Sequence, residues 1–192
     1  MIRCKTNGAD GVYFTYTEEK PISFNPFYTD DYVFDVEKKD SIKTLLLTLW
    51  KSEDDKVTKT ESGELGSAVN AYIERIRADR SIVPSFNTFY EFSVQRIPDI
   101  CSENSIGGID ISTYRYMMKD FYRGGNHDKT LNENMDSSLF DETFIVFEID
   151  AIKDDPLLFP IVTLIIMDVF LQKMRLKKNR KCLVIELSLI HI

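Results

Sequence analysis

The sequence predicts an α/β fold: a strand-helix-strand unit at the C-terminal end, preceded by an all-helical excursion. Three observations carry that expectation. Thr143 to Glu186 opens with Phe144-Ile145-Val146-Phe147 and continues Glu148-Ile149-Asp150, a short β-branched and aromatic run that reads as a buried strand. A long helical segment follows. Asp154-Asp155-Pro156 supplies a cap, acids for the positive helix end and a proline suited to the first turn, and apolar residues then run from Leu157 to Leu176. After Asn179 the chain enters Lys181-Cys182-Leu183-Val184-Ile185-Glu186, a second apolar strand closing on one acid. Such units build parallel sheets with right-handed crossovers, and they place chemistry at the carboxyl ends of the strands, where Asp150 and Glu186 stand.

From the N-terminus, Asn7-Gly8-Ala9-Asp10-Gly11 reads as a turn, and Gly11 to Thr17, with Val12-Tyr13-Phe14-Thr15-Tyr16, reads as a strand. Lys20-Pro21-Ile22-Ser23-Phe24-Asn25-Pro26-Phe27 carries two prolines and is expected to be extended and irregular, with Phe24 and Phe27 buried. A helix with Ile42, Leu45, Leu46 and Leu49 on one face follows Asp40 and Ser41, which can cap it, and closes at Trp50. Lys51 to Ser62 is charged and without period, hence a linker. A second helix places Leu65, Val69, Tyr72, Ile73 and Ile76 on one face. Pro84-Ser85 starts a third, with the stripe Phe86, Phe89, Tyr90, Val94 and Ile97. Such a stripe is core, or alternatively a docking surface for a neighbouring subunit. Ser102 to Gly108 reads as a loop, and Asp110 caps a fourth helix carrying Ile111, Tyr114, Met117, Met118 and Phe121. It stops at Tyr122-Arg123-Gly124-Gly125, where glycines allow positive backbone dihedrals after a helix end. His127 reads as a surface histidine rather than a base.

Composition narrows the function classes. The chain has 192 residues, 43% of them hydrophobic, enough for one packed domain. A net charge of −7 argues against a dedicated nucleic-acid binder, whose phosphate contacts need a basic face. Lys173, Arg175, Lys177, Lys178, Arg180 and Lys181 crowd the end of the long helix, where cations complement the negative terminus; a patch facing DNA, anionic lipid or a partner is the alternative. The three cysteines, Cys4, Cys101 and Cys182, follow no metal or disulfide spacing, which suits a reducing cytoplasm. Leu157 to Met167 is far short of the roughly twenty residues that span a bilayer, and Asp168 interrupts it, so membrane association is expected through partners only.

An apolar strand ending in an acid is half of a nucleotide-hydrolysis site, because its carboxylate can hold the magnesium that bridges two phosphates. It is equally what a buried strand shows on returning to water. The wider text distinguishes the two. Phe147-Glu148-Ile149-Asp150-Ala151-Ile152-Lys153, Leu158-Phe159-Pro160-Ile161-Val162-Thr163 and Lys181-Cys182-Leu183-Val184-Ile185-Glu186 together resemble the TraG/VirB4-type conjugative transfer ATPases, in particular the Bacteroides-type conjugative transposon TraG members. Glu18-Glu19-Lys20-Pro21-Ile22-Ser23 with Asn25-Pro26-Phe27 shares that resemblance.

The resemblance implies a partial RecA-like P-loop NTPase sheet with an all-helical insertion. It implies residues 1–35 as strand and loop of the ATPase core, 36–125 as the insertion and 126–186 as the unit ending at the Walker B acid. It further implies a type IV secretion motor using ATP and Mg2+, working as a homo-oligomer, a hexamer in the family, beside channel proteins at the inner face of the cytoplasmic membrane. Direct DNA contact stays open. Glu186 falls on the magnesium-organising position, Asp150 lies near the site, and Arg123 suits a phosphate or inter-subunit contact because its fork stays charged and binds bidentately.

Two departures matter. No glycine-rich string ending in Lys and Ser or Thr occurs in the sequence, so the donors and lysine that cradle phosphates are missing. The position after Glu186, an acid in the family, is Leu187. Residues 187–192, Leu187-Ser188-Leu189-Ile190-His191-Ile192, resemble the translation of a transposase end sequence used as a library adapter, which makes them a non-native tail; a genuine apolar strand is the alternative. The expectation is therefore an internal fragment of the motor domain, cut at both ends, with no turnover and no tight nucleotide binding of its own. A non-catalytic helical interaction module is the second reading.

Overall fold

The structure, a computed structural model, describes residues 2–6, 9–17, 19–29, 32–51, 55–104, 108–134, 141–142 and 144–176. The strand expected over Lys181–Glu186, the 187–192 tail and its His191 lie outside the described residues. At the N-terminus, β1 (Ile2–Thr6) and β2 (Ala9–Thr15) pair antiparallel, from Ile2 opposite Tyr13 to Thr6 opposite Ala9. The turn expected over Asn7–Gly11 is thus shorter, and a strand stands before it. In the sequence, Asn-Gly is a pair that favours a short connection between antiparallel strands, a signal the wider turn expectation passed over. β3 (Phe144–Glu148) pairs parallel with β2, Gly11 opposite Phe144 and Thr15 opposite Glu148, giving the order β1-β2-β3. Gly11 lets the strands approach closely, since a Cβ there would lie 3.0 Å from both the Phe144 ring and its carbonyl oxygen. The described sheet is mixed: one parallel pair with an antiparallel edge.

Between β2 and β3 the chain makes its helical excursion. The segment leading into it is extended, as the prolines require, and buries Ile22, Phe24, Asn25 and Phe27. Asn25 is its anchor. Its amide donates to the Pro84 carbonyl (2.7 Å) and to Asn134 Oδ1 (3.1 Å), while its oxygen accepts from the Phe27 N–H (3.0 Å). Phe27 stacks on Phe89 and meets Tyr72 edge-on, so the loop becomes part of the helical core.

The four helices of the excursion follow the apolar spacing, with corrected ends. α1 (Val36–Trp50) buries Ile42, Leu45, Leu46, Leu49 and Trp50, but its cap is Asp35, which accepts from the Lys38 N–H at 2.8 Å; Asp40 and Ser41 lie inside the helix. Asp35 wins because it precedes the first helical residue, whereas a cap at Asp40 would forfeit a full turn of helix. α2 (Lys59–Ala78) begins inside the stretch expected to be linker, since Thr58 and Glu61 close a reciprocal capping box there. Charge alone hid it. α3 (Phe86–Asn104) is started by Ser85, whose Oγ accepts from the Thr88 N–H (3.2 Å), and runs on through Pro98 into the expected loop. α4 (Ile111–Met118) is capped by Asp110 and tightens into a 3-10 turn, Lys119–Phe121. Phe86, Phe89 and Ile97 are wholly buried, so the α3 stripe is core.

α5 (Leu158–Leu176) follows β3 through a second 3-10 turn at Asp150–Ile152. Asp155 Oδ1 accepts from the N–H groups of Leu157 (2.9 Å) and Leu158 (2.8 Å), with Pro156 next to it where no donor is needed. α5 buries Ile161, Val162, Ile165 and Val169 and packs on α1. The acid that interrupts its apolar run is explained by that contact: Asp168 takes the ammonium of Lys38 at 2.5 Å. Of the basic cluster at the helix end, Arg175 pairs with Glu37 (2.9 Å) and Asp35 (3.4 Å), and Lys173 donates to the Glu142 carbonyl. The cations from Lys177 onward lie outside the described residues.

Candidate functional site

Parallel pairing of β2 and β3 puts their carboxyl ends side by side, where a parallel sheet carries its chemistry. The side chain that organises this end is Glu148. It accepts the Tyr13 hydroxyl at 3.0 Å and the Asp150 N–H at 2.9 Å, and its carbonyl takes the Tyr16 N–H at 2.9 Å. Tyr13 reaches it because Glu148 lies two positions past Val146, its register partner, on the same face. The bond to the carboxylate, with smaller contributions from burial and its charge, raises the Tyr13 phenol above its ordinary pKa.

Asp150, two positions on at the start of the 3-10 turn, is exposed and pairs with Lys153 at 3.0 Å. The hydrogen bond and charge of Asp150 raise the Lys153 ammonium above its ordinary value. Two mobile, solvated side chains gain little from such a pair, about 0–1 kcal/mol. Asp150 therefore stands at the strand end as the sequence places it, already engaged by a cation.

Arg123 belongs to a different part of the molecule. Its N–H donates to Asn87 Oδ1 (2.9 Å) at the start of α3, and its side chain is exposed. The turn around it is tightly built. Gly124 has φ +80°, and a Cβ on Gly125 would meet the Asp120 carbonyl oxygen at 2.3 Å, so both glycines answer to geometry. Asn132 ties the turn together, donating to the Phe121 (3.0 Å) and Asp128 (2.7 Å) carbonyls and accepting from the Asn87 N–H (2.9 Å). Thr130 then accepts from the Phe24 N–H at 2.9 Å, which fastens the turn to the chain leaving β2. His127 is half-buried with its ring 5.3 Å from that of Phe121, a packing role. No hydrogen bond or ion pair joins Arg123 to Asp150 among the described residues. Glu186, the third site residue expected, lies outside them.

Among the described residues no group of three His, Cys, Asp or Glu side chains could hold a metal ion. Within the described end of the sheet, Glu148 is bonded to the Tyr13 hydroxyl and Asp150 to Lys153. Burial first, then the Glu64 carboxylate beside it, raise the Cys101 thiol above its ordinary pKa. Glu64 itself is spent on the N–H groups of Gly108 (3.2 Å) and Ile109 (2.9 Å).

The residue that sequence reading passed over is Glu148. Its only sequence signal was an acid as the last strand residue; Asp150 lies beyond the strand in the 3-10 turn, whereas Glu148 stays in the strand's register and is bonded to Tyr13. A family model described as the TraG P-loop domain matches residues 3–192. No curated protein and no solved structure matches the chain. No helix among the described residues is long and apolar enough to cross a membrane.

Proposed function

The chain belongs to the TraG P-loop domain family, and on that premise we propose that it forms the middle of the RecA-like motor domain of a VirB4-type ATPase that powers type IV secretion in conjugative transfer. The observation that carries this reading is the match itself, which spans residues 3–192. The parallel β2–β3 pair, with α5 following β3, supports it as the layout of a P-loop sheet.

In this reading Lys181–Glu186 is the Walker B strand, and Glu186 organises Mg2+ through water beside the phosphates of ATP. Glu148, held by Tyr13, fixes the backbone of the β3–α5 loop through the Asp150 N–H. That sets Asp150 at the edge of the nucleotide site. Arg123, on its rigid glycine turn, reaches a phosphate or the adjoining subunit of a homo-oligomer, a hexamer in form, assembled at the inner face of the cytoplasmic membrane against channel proteins.

The 192 residues hold no lysine-bearing phosphate loop, and Leu187 stands where the second acid would polarise water, so this chain by itself turns over no ATP. Phosphate release by the purified chain with MgATP tests this; the expected rate is that of the buffer blank, and sustained turnover would overturn it. Failure of the parent protein to bind nucleotide at all would leave a helical interaction module in its place.

A further inference from the structure

We propose that Lys38 and Asp168 form a register lock that fixes where the helical excursion seats on α5. The inference concerns the fold and stands independently of the ATPase reading. Both side chains are almost completely buried, at 1% and 5% exposure, with Nζ 2.5 Å from Oδ2. Ser41, one turn further along α1, donates to Oδ1 of the same carboxylate at 3.2 Å, and the Phe24 ring lies 5.1 Å from the ammonium. Two positions of α1 therefore converge on a single residue of α5. Near the start of α1, Asp35 and Glu37 meet Arg175, so the helices run antiparallel and the lock lies inside a longer polar seam.

The Arg175 pairs are partly exposed and individually weak, and the apolar part of the contact holds no directional bond. The buried apolar residues of α5 around Asp168 are Ile161, Val162, Ile165 and Val169, α1 buries Ile42, Leu45, Leu46 and Leu49, and a slip of one helical turn, about 5.4 Å, would exchange one aliphatic side chain for another. A slip of that size would leave a buried ammonium and a buried carboxylate without partners, which is strongly unfavourable. Only one seating satisfies both. Buried pairs of this sort add little net stability over apolar residues of the same volume, and a single polar contact that fixes register is their best-attested use.

The test is a distance measurement between spin labels on Thr44 and Met174, exposed positions of α1 and α5, in a background with Cys4, Cys101 and Cys182 replaced. With Lys38 and Asp168 present, a single narrow distance is expected. In the apolar double variant K38M/D168L the chain should remain folded, with unchanged helix content, and the distribution should broaden or split. The single variants K38M and D168L, each leaving one charge buried alone, should melt well below both. A double variant with the same narrow distance would overturn the proposal, as the apolar faces would then set register unaided. A double variant that unfolds would overturn it too, because the pair would then carry stability rather than register.

Discussion

Gly125 shows how one atom constrains a turn. A methyl group there would sit 2.3 Å from the Asp120 carbonyl oxygen, against backbone that the His127 N–H already holds at 2.8 Å and that cannot step aside. G125A should therefore destabilise by about 2–4 kcal/mol, in the upper range for single substitutions. G124A meets no atom within 4 Å and faces only its φ of +80°, at a cost of about 1–2 kcal/mol. Thermal unfolding followed by the fluorescence of the single tryptophan, Trp50, buried against Tyr114, ranks the two. Equal melting temperatures would mean that the turn is looser than its hydrogen bonds imply. The pair of glycines was legible in the sequence as a helix stop. Which one is sterically irreplaceable was not, because that depends on a carbonyl five residues earlier in the chain.

Capping decides the elements. Glu61 closes the capping box of α2 and accepts Lys51 Nζ at 2.8 Å. Burial favours its neutral form, but the Lys51 bond and the Thr58 donors outweigh it and hold the carboxyl below its ordinary pKa. The sign follows: the contribution of Glu61 is complete above the ordinary unfolded value, about 4.3, and is lost as pH falls through the lower folded value. E61Q should thus be less stable than the parent chain by about 0.5–2 kcal/mol at neutral pH, with the gap closing in strong acid. Urea titrations at the two pH values check it, and a gap independent of pH would contradict it. Beyond β3, D155A removes the acceptor of two N–H groups at the start of α5. It should lower stability by a similar ~0.5–2 kcal/mol.

The same residues explain what could be read in advance at this scale. Apolar spacing located each of the helical stripes, since period depends only on neighbours along the chain. Ends were misplaced where a cap was hidden by its surroundings: Thr58-x-x-Glu61 by a charged stretch, and Asp35 by the later pair Asp40-Ser41. The last turn of α3 was misplaced as well: it runs to Asn104, three residues into the stretch Ser102–Gly108 that was expected to be loop.

At the scale of the whole molecule, the α/β layout with its helical excursion was legible, because the strands and the long helix are locally distinct. The partners of its polar groups were not. Asp168 looked like an interruption of an apolar run, and only the approach of Lys38, 130 positions away, shows what it does. Glu148 was likewise hidden behind Asp150 until Tyr13 came beside it from the other strand. The functional reading joins this layout to the family: a sheet whose carboxyl end carries Glu148 and Asp150, a helix locked to the excursion, and Glu186 at the end of the next apolar run. Its most direct test is steady-state phosphate release by a full-length TraG-type protein that carries residues 1–186 of this sequence together with a lysine-bearing phosphate loop and an acid in place of Leu187, with Glu186 intact or changed in E186Q. The account predicts hydrolysis by the first, and in the second a fall of about a hundredfold or more with nucleotide still bound. Equal rates in the two proteins would contradict it.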